Sequence, residues 1–185
     1  DIYGLAAAPL AYQLDAAEKR ILHISNAALL RIFSCAYAYR ATGDRKYLDH
    51  AENDINTVCN FPDWNGHRHY LDVGEMAAAV ALGYDWLYAD LKPETRANAE
   101  RALREYAFDT AEPYGSSFYN KVSNWNQVCN AGLVCGALAV YETCPETAEA
   151  IIEKSLESNR TAVEALYAPH GNYPEGYGYW EYGTV

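Results

Sequence analysis

One pattern recurs about every fifty residues along this chain, and it restricts the fold more than any other feature. It appears in Tyr39-Arg40-Ala41-Thr42-Gly43-Asp44, in Tyr88-Ala89-Asp90-Leu91-Lys92-Pro93-Glu94-Thr95 and in Tyr141-Glu142-Thr143-Cys144-Pro145-Glu146-Thr147. Each segment holds a tyrosine, a short polar turn and a helix start. The last two share Pro-Glu-Thr. Proline suits the first helical turn, where its missing N–H is not needed, and an acid beside it suits the positive end of the helix dipole.

Each turn joins two kinds of helix. The helices before the turns are expected near 20–41, 71–88 and 126–142. They are apolar nearly all round and rich in small residues, as in Met76-Ala77-Ala78-Ala79-Val80-Ala81-Leu82-Gly83, which predicts buried helices. The helices after the turns are expected near 44–59, 93–111 and 145–167. They carry one apolar stripe, Tyr47, Leu48, Ala51, Ile55 and Val58 in the first and Ala148, Ile152, Leu156 and Val163 in the third. Their charged remaining faces predict an outer position. No long β-like alternation interrupts this order. The expectation is an all-α fold with inner and outer helix layers, an α/α toroid or an α-solenoid.

The connections are unequal. Inner-to-outer turns are short, whereas outer-to-inner loops are long and aromatic: 60–70, 113–126 and 168–182. All three are expected at the same edge of the array, where long polar loops on a rigid scaffold place a site. Each carries a tryptophan, Trp64, Trp125 or Trp180, able to stack on a sugar ring or to plug a hairpin end.

Composition sets bounds. The 185 residues suffice for one domain with a core, and half of them are hydrophobic, which excludes a disordered chain. The formal charge of −11 argues against broad nucleic-acid binding, but a few local groups still set the field inside a cleft. Seventeen tyrosines and four tryptophans suit a carbohydrate ligand and an aromatic core equally. Five cysteines without a CxxC pair predict neither a disulfide framework nor a zinc site. No apolar run reaches the eighteen or so residues of a membrane span. No signal peptide is visible, and a start at Asp1 rather than Met is compatible with one having been removed.

With the loops identified, the sequence resembles the heparinase II/III-like polysaccharide lyases, which include alginate and heparin lyases. The likeness runs from about Arg20 to the end. It rests on Tyr39 through Leu48, on Leu71-Asp72-Val73-Gly74-Glu75-Met76 with Gly83-Tyr84-Asp85-Trp86-Leu87-Tyr88, on Asn124-Trp125-Asn126-Gln127-Val128-Cys129-Asn130-Ala131-Gly132, and on Tyr173-Pro174-Glu175-Gly176-Tyr177-Gly178-Tyr179-Trp180. The last two lie at the expected cleft edge and are the more specific. The resemblance implies that residues 1–185 belong to a single, incomplete α/α-toroid domain. It also implies β-sandwich domains downstream that these residues do not include, and a secreted or periplasmic bacterial setting.

The implied reaction is β-elimination at a uronic acid in an acidic polysaccharide or oligosaccharide, with no cofactor and no metal. The carboxylate beside the C5 proton must first be neutralised by hydrogen-bond donors or cations. A base then takes the C5 proton and an acid protonates the leaving glycosidic oxygen. Relatives use an Asn or His for neutralisation and a tyrosine about fifty-five residues later as acid, or as base and acid. Carried onto this chain, Asn126 is the expected neutraliser and Asn124 the expected helix cap, with the two roles open to exchange. Tyr179 is the expected catalytic tyrosine, with Tyr177 and Tyr182 as alternatives. Trp180 stands where many relatives carry a His.

A tyrosine acting as base needs positive charge nearby. His67, Arg68 and His69 are placed to supply it if their loop reaches the cleft, and a solvated loop is the alternative. Glu175 is expected to orient the tyrosines or to face water. Two other functions compete. A toroid hydrolase of the unsaturated-glycuronidase kind needs two carboxylic acids across the bond, for which the loops offer Asp63 and Glu175. A non-catalytic carbohydrate-binding helical-repeat module is the third.

Overall fold

The computed structural model describes residues 3–167 and 170–184; the terminal Asp1, Ile2 and Val185, and Ala168 and Pro169 at the start of the third long loop, lie outside the described residues. The described residues form helices without a single strand. In order they are α1 (Leu22–Thr42), α2 (Arg45–Cys59), α3 (Tyr70–Leu87), α4 (Pro93–Ala102), a π-helical turn (Leu103–Phe108), α5 (Asp109–Tyr114), α6 (Asn124–Ala139), α7 (Pro145–Leu166) and α8 (Tyr177–Thr184).

The repeated turns are built as their residues dictate. Gly43 ends α1 in the left-handed region, at φ 70°, and its N–H reaches the Tyr39 carbonyl at 2.7 Å. Asp44 then caps α2 by accepting from the Lys46 N–H at 3.1 Å. Pro93 and Pro145 open α4 and α7, with Glu94 and Glu146 in their first turns.

Helix α3 packs between α1 and α6, and α2 and α7 pack against α1 and α6 respectively. The α3–α6 crossing is close because two glycines meet there. A Cβ on Gly132 would collide with the Gly74 backbone. Helix α3 is buried along most of its length, from Tyr70 to Leu87. Beneath α1, the Arg31 guanidinium makes two bonds to the buried Asp54 carboxylate, at 2.8 and 2.9 Å, and one to the Ala8 carbonyl at 3.0 Å. That last bond ties the segment before α1 to the helix array.

Three expectations need correction. Helices α1 and α6 are not buried all round: Leu30, Phe33, Tyr37 and Leu138 are exposed. The uncovered side forms an apolar groove of about 730 Å³ that includes Leu29, Leu30, Phe33, Leu82, Val128 and Cys135. The apolar stripe of α7 is rotated. Ala148, Ile151, Ser155, Ala162 and Leu166 face inward and Leu156 is exposed, because small side chains form the contact with α6. The expected loop 168–182 contains α8, which packs on α6.

Candidate functional site

The three long connections meet at the N-terminal ends of α3 and α6. Asp72, in the first turn of α3, organises the first of them. One carboxylate oxygen accepts from the Ile21 N–H and from Asn65 Nδ2, each at 2.8 Å. The other lies 2.7 Å from His69 Nδ1. An acceptor on Nδ1 fixes the proton there and leaves Nε2 as the free lone pair. The His69 ring stands edge-on to Trp125 at 4.8 Å, which brings the loop before α3 against the start of α6.

The third connection is clamped to the same place. Glu175 accepts from the Asn124 backbone N–H at 2.6 Å and from Asn124 Nδ2 at 2.9 Å. This carboxylate sits at the positive end of the α6 dipole and satisfies an N–H that the helix leaves unpaired. Tyr173 donates to Gln127 Oε1 at 2.9 Å and also contacts Glu175 at 3.2 Å. Helix α8 then passes so near that a Cβ on Gly183 would press on Gln127 Oε1 and the Tyr173 hydroxyl.

This clamp delivers Tyr182 to Glu75. The Tyr182 hydroxyl donates to Glu75 Oε1, and Asn26 from α1 donates to Glu75 Oε2. Glu75 and Tyr182 both border the apolar groove, as does Gln127. Burial raises the Glu75 carboxyl above the ordinary glutamate range. The Tyr182 bond opposes that rise, the Asp72 charge adds to it, and His69 opposes it. Burial and the Glu75 carboxylate also push the Tyr182 hydroxyl upward, so it keeps its proton at neutral pH.

Several expected site residues are placed elsewhere. Asn126 is fully buried, and its Nδ2 donates to the carbonyls of Phe118 and Tyr119 and to Ser158 Oγ, at 3.2, 3.1 and 2.9 Å. It staples the loop before α6 to α7 and has no donor left for a ligand, which removes it as neutraliser. Asn124 is not the cap: Ser123 holds that position, and the Asn124 amide is committed to Glu175. Trp64 is 1 % exposed and donates to the Val58 carbonyl at 3.0 Å, so it plugs the hairpin and offers no face to a sugar.

Tyr179 is 54 % exposed and its side chain has no hydrogen-bonding partner among the described residues. Tyr177 and Trp180 are also exposed, with their rings 5.6 Å apart. His67 is exposed on its loop. The carboxylates suggested for a hydrolase are both in use, Glu175 at Asn124 and Asp63 as acceptor from the Tyr12 hydroxyl at 2.8 Å.

Four residues of the site, Asp72, Glu75, Gln127 and Asn26, were not singled out from the sequence. The first three lie within Leu71–Met76 and Asn124–Gly132 but read as helix interior, and no local signal marks Asn26. Among the described residues no group of three or more His, Cys, Asp or Glu is arranged to hold a metal ion, and no helix is long and apolar enough to cross a membrane. No protein-family model and no curated protein sequence matches the chain.

Proposed function

We propose that this chain is part of an α/α toroid and belongs to a polysaccharide lyase that cleaves a uronic-acid polymer by β-elimination. The observation that carries the proposal is the grouping of Gln127, Tyr182 and Glu75 on the lining of the groove, with the His69–Asp72 pair behind it, Asp72 one turn before Glu75 on α3 and His69 8 % exposed. It supports the three roles that the chemistry needs.

Gln127 supplies neutralisation. Its Oε1 is held by Tyr173, and its Nε2, which has no hydrogen-bond partner among the described residues, is the donor to the substrate carboxylate. His69 Nε2 is the base that removes the C5 proton, with Asp72 fixing the tautomer and stabilising the imidazolium that forms. The electron pair of the C5–H bond becomes the C4–C5 double bond, and the C4–O bond breaks. Tyr182 protonates the leaving oxygen. Glu75 holds its hydroxyl in place, and the proton taken by His69 returns to Tyr182 through solvent. Retention of the proton by Tyr182 suits an acid rather than a base.

The substrate is an acidic polysaccharide or oligosaccharide, in a secreted or periplasmic bacterial setting. The protein carrying this chain, incubated with alginate, polygalacturonate and heparin, is expected to generate near-ultraviolet absorbance from the new double bond. New reducing ends without that absorbance would indicate a hydrolase and overturn the proposal.

A further inference from the structure

Helices α1 and α3 pack side by side, and the candidate site lies at the end where they start, where Asp72 holds the Ile21 N–H. At their other end, roughly 15 Å along α3 from Glu75 by the helical rise, the last turns enclose a depression of about 490 Å³. It is lined by Tyr37, Arg40 and Ala41 of α1 and by Asp85 and Trp86 of α3. Tyr37 is 62 % exposed. The Phe33 ring, one turn earlier on α1, packs against Trp86 at 5.2 Å, so aromatic surface continues from the groove into the depression.

Two opposite charges border this depression without pairing. Arg40 Nη1 donates to the Trp86 carbonyl at 3.0 Å, one of the carbonyls that the end of α3 leaves without a helical partner. That bond holds the guanidinium in place and leaves its other N–H groups as donors. Asp85 is exposed, and its carboxylate has no hydrogen-bond or ion-pair partner among the described residues, Arg40 included. It lies in the last turn of α3, where the helix dipole disfavours a negative charge. The carboxylate therefore makes no contact that holds the fold together, and its position opposes the dipole.

We propose that this depression is a second saccharide-binding site and that it takes a neutral sugar residue. A pyranose ring has an apolar face that stacks on Tyr37 or Trp86. Its adjacent hydroxyls each donate and accept, so one donates to Asp85 while its neighbour accepts from Arg40. A neutral ligand meets both charged groups at once. A uronate that bonds Arg40 instead brings a second carboxylate up to Asp85, and like charges at that range repel. The site stands apart from the lyase reading, because none of its residues takes part in that chemistry.

The test is affinity electrophoresis of the 185-residue chain in gels containing galactomannan, xyloglucan or pullulan, with polygalacturonate as the charged comparison. The wild type should be retarded by at least one of the neutral glycans. Tyr37→Ala and Asp85→Asn should each weaken that binding on the order of tenfold, through loss of a stacking face or of a hydrogen bond to a charged group. Both side chains are exposed, so a thermal melt will show that the variants fold. Asp85→Asn removes a charge that the dipole disfavours, so its melting temperature should not fall while its binding does. No retardation of the wild type by any neutral glycan, equal binding by the wild type and both variants, or tighter binding of polygalacturonate that the same two substitutions abolish would overturn the proposal. Binding is read without turnover, so a failure to form unsaturated product would count against the lyase alone.

Discussion

The Glu175 carboxylate grips Asn124 twice, at its backbone N–H (2.6 Å) and at its side-chain amide (2.9 Å). One acidic residue therefore caps α6 and anchors the segment that carries α8. The position of Tyr182 over Glu75 depends on that anchor.

Removing the anchor should cost stability. Glu175→Ala leaves two Asn124 donors without their partner, worth about 1.5–3 kcal/mol for bonds to a charged group. The melting temperature should fall by roughly 5 °C or more, and Glu175→Gln, which keeps one acceptor, should fall less. A melt unchanged in both variants would show that the clamp is not formed in solution.

The meeting of Gly74 and Gly132 makes a second prediction. Gly132→Ala places a methyl group against the α3 backbone, which cannot move aside like the end of a side chain. The expected cost is about 3 kcal/mol, seen as a lower denaturant midpoint at unchanged slope. Gly178→Ala is the control, since nothing lies within reach of the added group, and it should leave the midpoint nearly unmoved.

Glu75 predicts a pH dependence. Its folded-state affinity for a proton is raised, first by burial. The stability that the protonated form contributes is complete below the ordinary glutamate range, and it is lost as pH rises through the raised value. Glu75→Gln cannot ionise. Its melting temperature minus that of the wild type should therefore increase from pH 4 to pH 7, whatever the constant offset from altered bonding. A flat difference would contradict the assignment.

The two neighbouring amides should separate structure from chemistry. Asn126→Ala removes three donated bonds and the two its Oδ1 accepts from Asn130 and Asn159, in a buried site, and should destabilise by about 2–3 kcal/mol, with the folded fraction keeping its turnover. Gln127→Ala should lower turnover about a hundredfold, in the range for loss of one stabilising donor, with a smaller change in the melt. Loss of turnover confined to Asn126→Ala would reverse the two assignments.

These residues also show what the sequence makes legible. Gly43, Asp44, Pro93 and Pro145 act through their own backbone preferences, so the hairpin turns follow from local chemistry. The choice between Asn124, Asn126 and Gln127 does not. All three open one helix, and which of them faces the groove is set by partners distant in sequence: Glu175, Ser158 and Tyr173. The same holds among Tyr177, Tyr179 and Tyr182, since only the seating of α8 on α6 selects Tyr182. The exposed apolar sides of α1 and α6 were equally hidden, because an apolar helix reads as buried whether or not anything covers it.

The most direct test of the proposed site compares Tyr182→Phe with Tyr179→Phe in the protein carrying this chain, by near-ultraviolet absorbance on alginate, polygalacturonate and heparin. Tyr182→Phe should lose about a hundredfold or more in turnover, as expected when a general acid is removed, while Tyr179→Phe stays within a few-fold of the wild type. The opposite ranking, or full activity in Tyr182→Phe, would contradict the assignment of Tyr182 and Glu75 to the reaction.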